Sequence, residues 1–154
     1  MLLLRVCDAL SAARVPFAIA GGYAVALHGA VRGTVDVDLV IRLEEAWFTK
    51  AEAALKGLGL QPRLPVTAAE VFRFREEYIR NRNLLAWSFV NPSNPAEVVD
   101  VLIAEDLAQC KPVKIAVKGR TLPVVSKGDL IRMKTRSARP QDLEDVAALK
   151  RLEG

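Results

Sequence analysis

Residues 20–41 read AGGYAVALHGAVRGTVDVDLVI, which sets a glycine pair, Gly21 and Gly22, ahead of two aspartates, Asp36 and Asp38, one residue apart among valines and a leucine. The spacing predicts a short buried strand over 17–20, a helix starting over 23–28 and, after the Gly33-Thr34 turn, a second strand over 35–42. Successive strand side chains point to opposite faces, so Asp36, Asp38 and Val40 share one face while Val35, Val37, Leu39 and Ile41 share the other. The second set reads as core. The first carries two carboxylates roughly 7 Å apart along the strand. A carboxylate in apolar surroundings is costly unless it is paired, hydrogen-bonded or bound to a metal. The pair therefore needs a partner elsewhere in the chain.

EVVDVLIA at 97–104 supplies a third carboxylate, Asp100, in the middle of another apolar strand, expected over 98–103. Three carboxylates on two neighbouring strands are the donor set of a hard, oxygen-preferring ion such as Mg²⁺, which keeps positions open for substrate phosphates. A glycine pair between strand and helix lets backbone N–H groups approach such a phosphate. Taken singly, Asp36 reads as a turn residue and Asp100 as a strand-end acid. Their combination with Asp38 and the glycines points to catalysis.

The residues resemble a family. Ala20-Gly21-Gly22, a spacer, Asp36-Val37-Asp38-Leu39 and a later strand aspartate, Asp100, look like the signature of the DNA polymerase beta-type nucleotidyltransferase superfamily. Within it, GGYAVALHGAVRGTVDVDL followed by DLIRMKTRSARPQDLEDV (129–146) is similar to the small bacterial abortive-infection (toxin-type) nucleotidyltransferases. The resemblance implies an α+β (α/β-like) fold, a nucleotidyltransferase-type mixed β-sheet flanked by helices with short C-terminal helices. It implies a single domain over 1–154, with a catalytic core at about 15–104 and the closing helices at about 127–152. It further implies that Gly21 and Gly22 hold a nucleoside triphosphate and that Asp36 and Asp38 bind Mg²⁺ (or Mn²⁺). Asp100 would be the third ligand and help to deprotonate the attacking hydroxyl. Arg32, just ahead of the acidic strand, Lys134, which resembles the family's triphosphate-contacting lysine, and Asp142, an acid of the last motif, would complete the nucleotide site. The implied reaction moves a nucleoside monophosphate, for instance from ATP, to an acceptor hydroxyl of RNA, a tRNA 3′ end or a protein. A toxin–antitoxin or phage-defence setting, with a cognate antitoxin or partner chain, goes with it. Two alternatives stay open: an aminoglycoside- or lincosamide-type antibiotic adenylyltransferase, and a non-catalytic nucleotide-binding subunit.

Plainer readings stand beside several of these residues. Asp142 falls in the first turn after Pro140, where an acid complements the helix dipole. Lys134 borders the apolar stripe of Leu130 and Ile131, equally suited to a cleft edge and a solvated face. His28 reads as a capping or packing residue, and Ser126 with Asp129 as a capping box.

The rest of the chain is compatible. Helices are expected over 2–13, 44–58, 127–137 and 140–152, and strands over 71–76, 84–90, 114–117 and 120–125, with NPSNP (91–95) as a turn. RFREEYIRNR (73–82) then reads as an alternating strand whose arginines, Arg73 to Arg82, face solvent or track an RNA backbone. With 51% hydrophobic residues the chain can bury a core, and 22 basic against 18 acidic residues, a formal net charge of +4, suit an anionic partner. Cys7 and Cys110 lie far apart with no ligand spacing, which argues against zinc and for buried thiols in a reducing compartment. The uncharged run 15–31 is shorter than the ~20 residues of a membrane helix and is broken by Pro16 and the glycine pair. Arg5 and Asp8 interrupt the apolar start. The expectation is a cytoplasmic protein with no membrane partner.

Overall fold

The computed structural model describes residues 1–153. In chain order the elements are α1 (Leu2–Ala12), β1 (Phe17–Ala20), α2 (Gly21–Leu27), β2 (Val37–Ile41), α3 (Glu45–Lys56), β3 (Gln61–Pro62) and α4 (Ala68–Arg82). They continue with β4 (Ala86–Asn91), β5 (Asn94–Leu102), β6 (Val113–Val117), β7 (Arg120–Val124), α5 (Lys127–Ser137) and α6 (Pro140–Glu153), plus a 3₁₀ turn at Leu107–Gln109. This is the expected α+β fold, one mixed sheet with helices packed against it.

The strands form a seven-stranded sheet in the order β3-β4-β5-β2-β1-β7-β6. β2 is parallel to β5 and β1 to β7, while the remaining neighbours are antiparallel. The four residues of β1 are all buried, as a central strand covered on both faces requires. Register assigns the faces. Ile19, Leu39, Val101 and Trp87 stand opposite one another from β1 to β4, as do Val37, Val99 and Phe89 across β2, β5 and β4. This face is core. Phe48 of α3, fully buried, stacks on Trp87 with centroids 5.7 Å apart and meets Phe72 of α4 edge-on at 5.5 Å. Aromatic pairs of this kind add about 0.5–1.5 kcal/mol each beyond the area they bury. They fix α3 and α4 over the β4–β5 half of the sheet. Among the described residues no helix is long and apolar enough to cross a membrane.

One expectation fails outright. Residues 71–76 are not a strand; they lie inside α4. Thr67 accepts the Glu70 backbone N–H, and the Glu70 carboxylate accepts that of Thr67, a capping box that starts a helix three residues before the apolar run. From there Val71, Arg75, Tyr78 and Arg82 recur at helical spacing. The alternation of Phe72 and Phe74 with arginines imitates a strand over too short a window to compete with a satisfied cap. The basic stretch is accordingly spread over two sides of a helix, Arg73 and Arg80 on one and Arg75 and Arg82 on the other, and its charges are largely occupied. Arg73 lies 3.3 Å from Glu45 and Arg80 3.8 Å from Glu76, while Arg75 and Arg82 sit over the rings of Phe72 and Tyr78.

Candidate active site

The sheet register gathers the acids. Asp38 on β2 stands directly opposite Asp100 on the parallel strand β5, and Ala20, the last residue before the glycine pair, stands opposite Asp38. On the other side Ser88 of β4 is paired with Asp100, and the backbone N–H of Arg63, just past β3, donates to the Ser88 carbonyl at 2.8 Å. Residues opposite one another share a face. One row therefore crosses five strands on the face away from Phe48: Arg63, Ser88, Asp100, Asp38 and Ala20. Asp36 precedes β2 by one residue and sits exposed at its mouth.

Negative charge in this row is only partly compensated. The Asp38 carboxyl is pushed up from 3.8 to about 7, first by burial and then by the negative charge of Asp100, with Lys134 opposing and Asp36 adding to the rise. Desolvation and Asp100 also raise Asp36, and the guanidinium of Arg63 offsets part of that effect. Ser88 Oγ donates to Asp100 Oδ1 at 2.5 Å. Among the described residues no three His, Cys, Asp or Glu side chains form a ready-made metal cage. Mg²⁺ seldom uses one, since it takes one or two carboxylates and completes its shell with water and substrate phosphates. A carboxylate pair of this kind, short of positive charge and flanked by a third acid, fits that ion.

The glycines are explained by contact. Gly21 has φ +62°, a conformation costly for other residues, and a Cβ added there would lie 1.8 Å from Asp38 Oδ2 and 2.9 Å from Asp38 Cβ. A Cβ on Gly22 would meet Thr34 Oγ1 at 2.8 Å and Arg32 Cζ at 3.2 Å. The pair thus lets the strand carrying Asp38 and the loop carrying Arg32 close onto the start of α2.

Solved structures similar to this one share the arrangement of elements. The antibiotic-resistance factor ANT(2'')-Ia superposes with a TM-score of 0.69 over 99% of this chain and 83% of its own, at 15% identity. The lincosamide antibiotic adenylyltransferase LnuA gives 0.63 over 98% and 96%, at 16% identity. An antigenic nucleotidyltransferase-like protein from Paracoccidioides brasiliensis gives 0.61 over 96% and 73%, at 17% identity. The chain has the nucleotidyltransferase fold. No protein-family model and no curated protein sequence matches it.

In this nucleotidyltransferase fold the C-terminal helices reach the acid row through one buried cation. Lys134 of α5, 7% exposed, has its Nζ 2.8 Å from Asp145 and 3.3 Å from Asp142, both on α6. It is also close enough to Asp38 to draw that carboxyl down. Burial would raise Asp142, but hydrogen bonds from Arg139 and Ser137, with Lys134 beside them, hold it at about 2. Burial works against Asp145 in the same way, and Lys134, Gln141 and Arg32 keep it below the usual carboxylate range. Arg32 Nε donates to Asp145 at 3.0 Å and its Nη1 to the Gly33 carbonyl. Arg32, Lys134 and Asp142 therefore belong to one network tying the loop before β2 to α5 and α6. His28 Nε2 lies 2.8 Å from the Val125 carbonyl, a packing contact at the end of α2. Ser126 caps α5, whereas Asp129 accepts from the Lys111 backbone N–H and does not reach back to its cap.

Three residues of the site escaped sequence reasoning. Asp145 sits three residues after Asp142, on the same helical face, a spacing that signals a shared partner. Ser88 and Arg63 carry no local signal; only strand register brings them to Asp100. Two cavities flank the site. The larger, about 290 Å³, lies behind the Arg32–Asp145 contact against α6, and none of Asp36, Asp38 and Asp100 lines it. The smaller, about 150 Å³, lies between α4 and the β3–β4 edge and is lined in part by Ser88 and Arg63.

Proposed function

We propose that this protein transfers a nucleoside monophosphate from a nucleoside triphosphate to an acceptor hydroxyl, with Mg²⁺ or Mn²⁺ held by Asp36, Asp38 and Asp100. The observation that carries the reading is the Asp38–Asp100 pair, two carboxylates placed opposite one another on neighbouring strands with too little positive charge around them. When bound there, the cation supplies charge neutralisation at the phosphates and acidifies the acceptor hydroxyl. The triphosphate lies on the Gly21-Gly22 side of the row, with Lys134 and Arg139 close enough to act on Asp38, Arg32 beside Gly22, and Asp142 keeping Lys134 in place. Asp100, oriented by Ser88, takes the proton of the acceptor hydroxyl. The acceptor oxygen forms a bond to the α-phosphorus, the bond to the bridging oxygen of the β-phosphate breaks, and pyrophosphate leaves on the side opposite the attack. Positioning and preorganised charge do most of the work in such a transfer.

The net positive charge favours an anionic acceptor such as RNA over a polycationic antibiotic. A cognate antitoxin or other partner chain is part of the same reading. The test is incubation with each α-³²P-labelled triphosphate and Mg²⁺ in the presence of total RNA, total protein or an aminoglycoside and lincosamide panel. Labelled RNA supports the reading. Labelled antibiotic moves the acceptor to the alternative class. No label in any arm, with triphosphate still bound, assigns the chain to the nucleotide-binding subunits.

A further inference from the structure

The two edges of the sheet are unlike. β3 closes one side with two residues, one of them Pro62, which has no N–H to offer a further strand. β6 ends the other side with five residues, no proline and an unbroken register with β7. Its hairpin fixes which backbone groups are left over. Lys118 and Gly119 have φ +47° and +79°, the two positive values of a type I′ turn, and Val117 stands opposite Arg120 across them. In a two-residue hairpin that flanking pair exchanges both backbone hydrogen bonds, and bonded pairs then alternate with unbonded ones along the ladder. Val117, Ile115 and Val113 therefore bond to β7, while the N–H and C=O groups of Lys114 and Ala116 point away from the sheet. No other backbone group among the described residues bonds to them.

Side chains add a pattern to this edge. Lys114 and Ala116 share one face and are exposed; Val113, Ile115 and Val117 share the other, where Ile115 and Val117 pack against the core and Val113 remains 41% exposed. Lys111 before the strand and Lys118 at the turn are exposed as well, and among the described residues none of the three lysines enters a salt bridge. We infer that β6 is a docking edge and that its occupant is an extended acidic segment of a partner protein, added to the sheet as one more strand. The backbone of such a segment pairs with the outward groups of Lys114 and Ala116. Its apolar residues continue the Val113–Ile115–Val117 face, and carboxylates at the alternate positions meet Lys114. A second copy of this chain fits poorly. Every two-fold antiparallel register that pairs the outward residues sets Lys114 opposite or diagonal to a second Lys114 or a Lys118, where like charges repel. A phosphate chain brings the charge but no N–H groups for the outward carbonyls.

The inference gives a surface to the partner chain of the reading above and is independent of the transfer reaction. The ¹⁵N-labelled protein, without triphosphate, is titrated with a capped heptapeptide of alternating glutamate and valine, and amide hydrogen exchange is followed in the complex. The Lys114 and Ala116 amide signals should shift saturably, and their exchange should slow by about tenfold or more as the edge is covered. The matching lysine–valine peptide should bind about tenfold more weakly, and Lys114→Glu should reverse the preference. Ala116→Pro removes one outward N–H from an unbonded position and should weaken binding about tenfold. Lys114 is exposed, so Lys114→Glu keeps the test open if Ala116→Pro fails to fold. Signals unmoved at millimolar acidic peptide overturn the inference, as does equal binding of the two peptides. Two further results also overturn it: the two amides already protected in a protein that sediments as a dimer, which gives the edge to a second copy, and shifts produced by oligouridylate but not by the acidic peptide, which give it to nucleic acid. Transfer without peptide binding overturns the docking edge and leaves the reaction standing; peptide binding without transfer supports the edge and removes the reaction.

Discussion

Replacing Asp38 by Asn should make the metal-free protein more stable at alkaline pH and change it little at acid pH. The folded-state carboxyl of Asp38 titrates at about 7 against an unfolded value of 3.8. The native state therefore binds this proton more tightly than the unfolded chain does. Stability must fall as pH rises from about 4, and the full loss is reached above about 7. At 1.36 kcal/mol per pKa unit the difference corresponds to as much as about 4 kcal/mol, and water reaching a half-buried group lowers the expectation to about 2–4 kcal/mol. Asn is nearly isosteric with the protonated acid and donates a hydrogen bond to Asp100 as that acid does. At pH 4.5 the variant should thus lie within about 1 kcal/mol of the wild type. Urea unfolding followed by tryptophan fluorescence in EDTA, repeated from pH 4.5 to 8.5, gives the difference directly, and carboxylates remote from Asp38 cancel in it, whereas Asp36 and Asp100 contribute through their coupling to it. Added Mg²⁺ should restore the wild type selectively at high pH. A stability difference that does not change with pH, or a variant less stable than wild type at pH 8.5, refutes the claim that Asp38 is a strained, cation-seeking carboxylate.

Gly21→Ala should lose about 1–2 kcal/mol from its backbone conformation alone and also abolish triphosphate binding, because the new Cβ displaces the Asp38 side chain; denaturant melts and calorimetry read the two effects. Lys134→Met should cost about 3 kcal/mol in chemical denaturation, since it leaves Asp142 and Asp145 buried without their shared cation. Ser88→Ala should leave the melting curve nearly unchanged while slowing transfer by about tenfold, the effect of one lost hydrogen bond to a charged group. Asp142→Asn should be indistinguishable from wild type below about pH 2 and less stable above pH 4, because the depressed carboxyl contributes stability only where it is ionised.

The strands and helices flanking the D-x-D segment were legible because period and punctuation agree there: Phe17–Ala20 and Lys127–Ser137 occupy the positions their patterns predict. Two apolar strands carrying mid-strand aspartates are rare enough that Asp38 and Asp100 could be paired before their register was known. Residues 71–76 misled because alternation over six residues is a weak signal, while the Thr67–Glu70 capping box that decides the matter lies outside that window. Ser88 and Arg63 were not legible in any local pattern. Their place beside Asp100 comes from the pairing of β3, β4 and β5, a long-range property. Lys134 was readable as a cleft-edge cation, but its burial between two acids follows from α6 folding back on α5, which the sequence marks only through the Asp142–Asp145 spacing.

Isothermal titration of a nucleoside triphosphate into the protein, with Mg²⁺ and then with EDTA, tests the proposed metal and triphosphate site most directly. The expected result is saturable binding with Mg²⁺ in the wild type. That binding should be lost in EDTA and lost with Mg²⁺ when Asp38 or Asp100 is replaced by Asn, while both variants remain folded. Equal affinity with and without the cation, or undiminished binding in the two variants, would contradict the assignment of the Asp38–Asp100 row as that site.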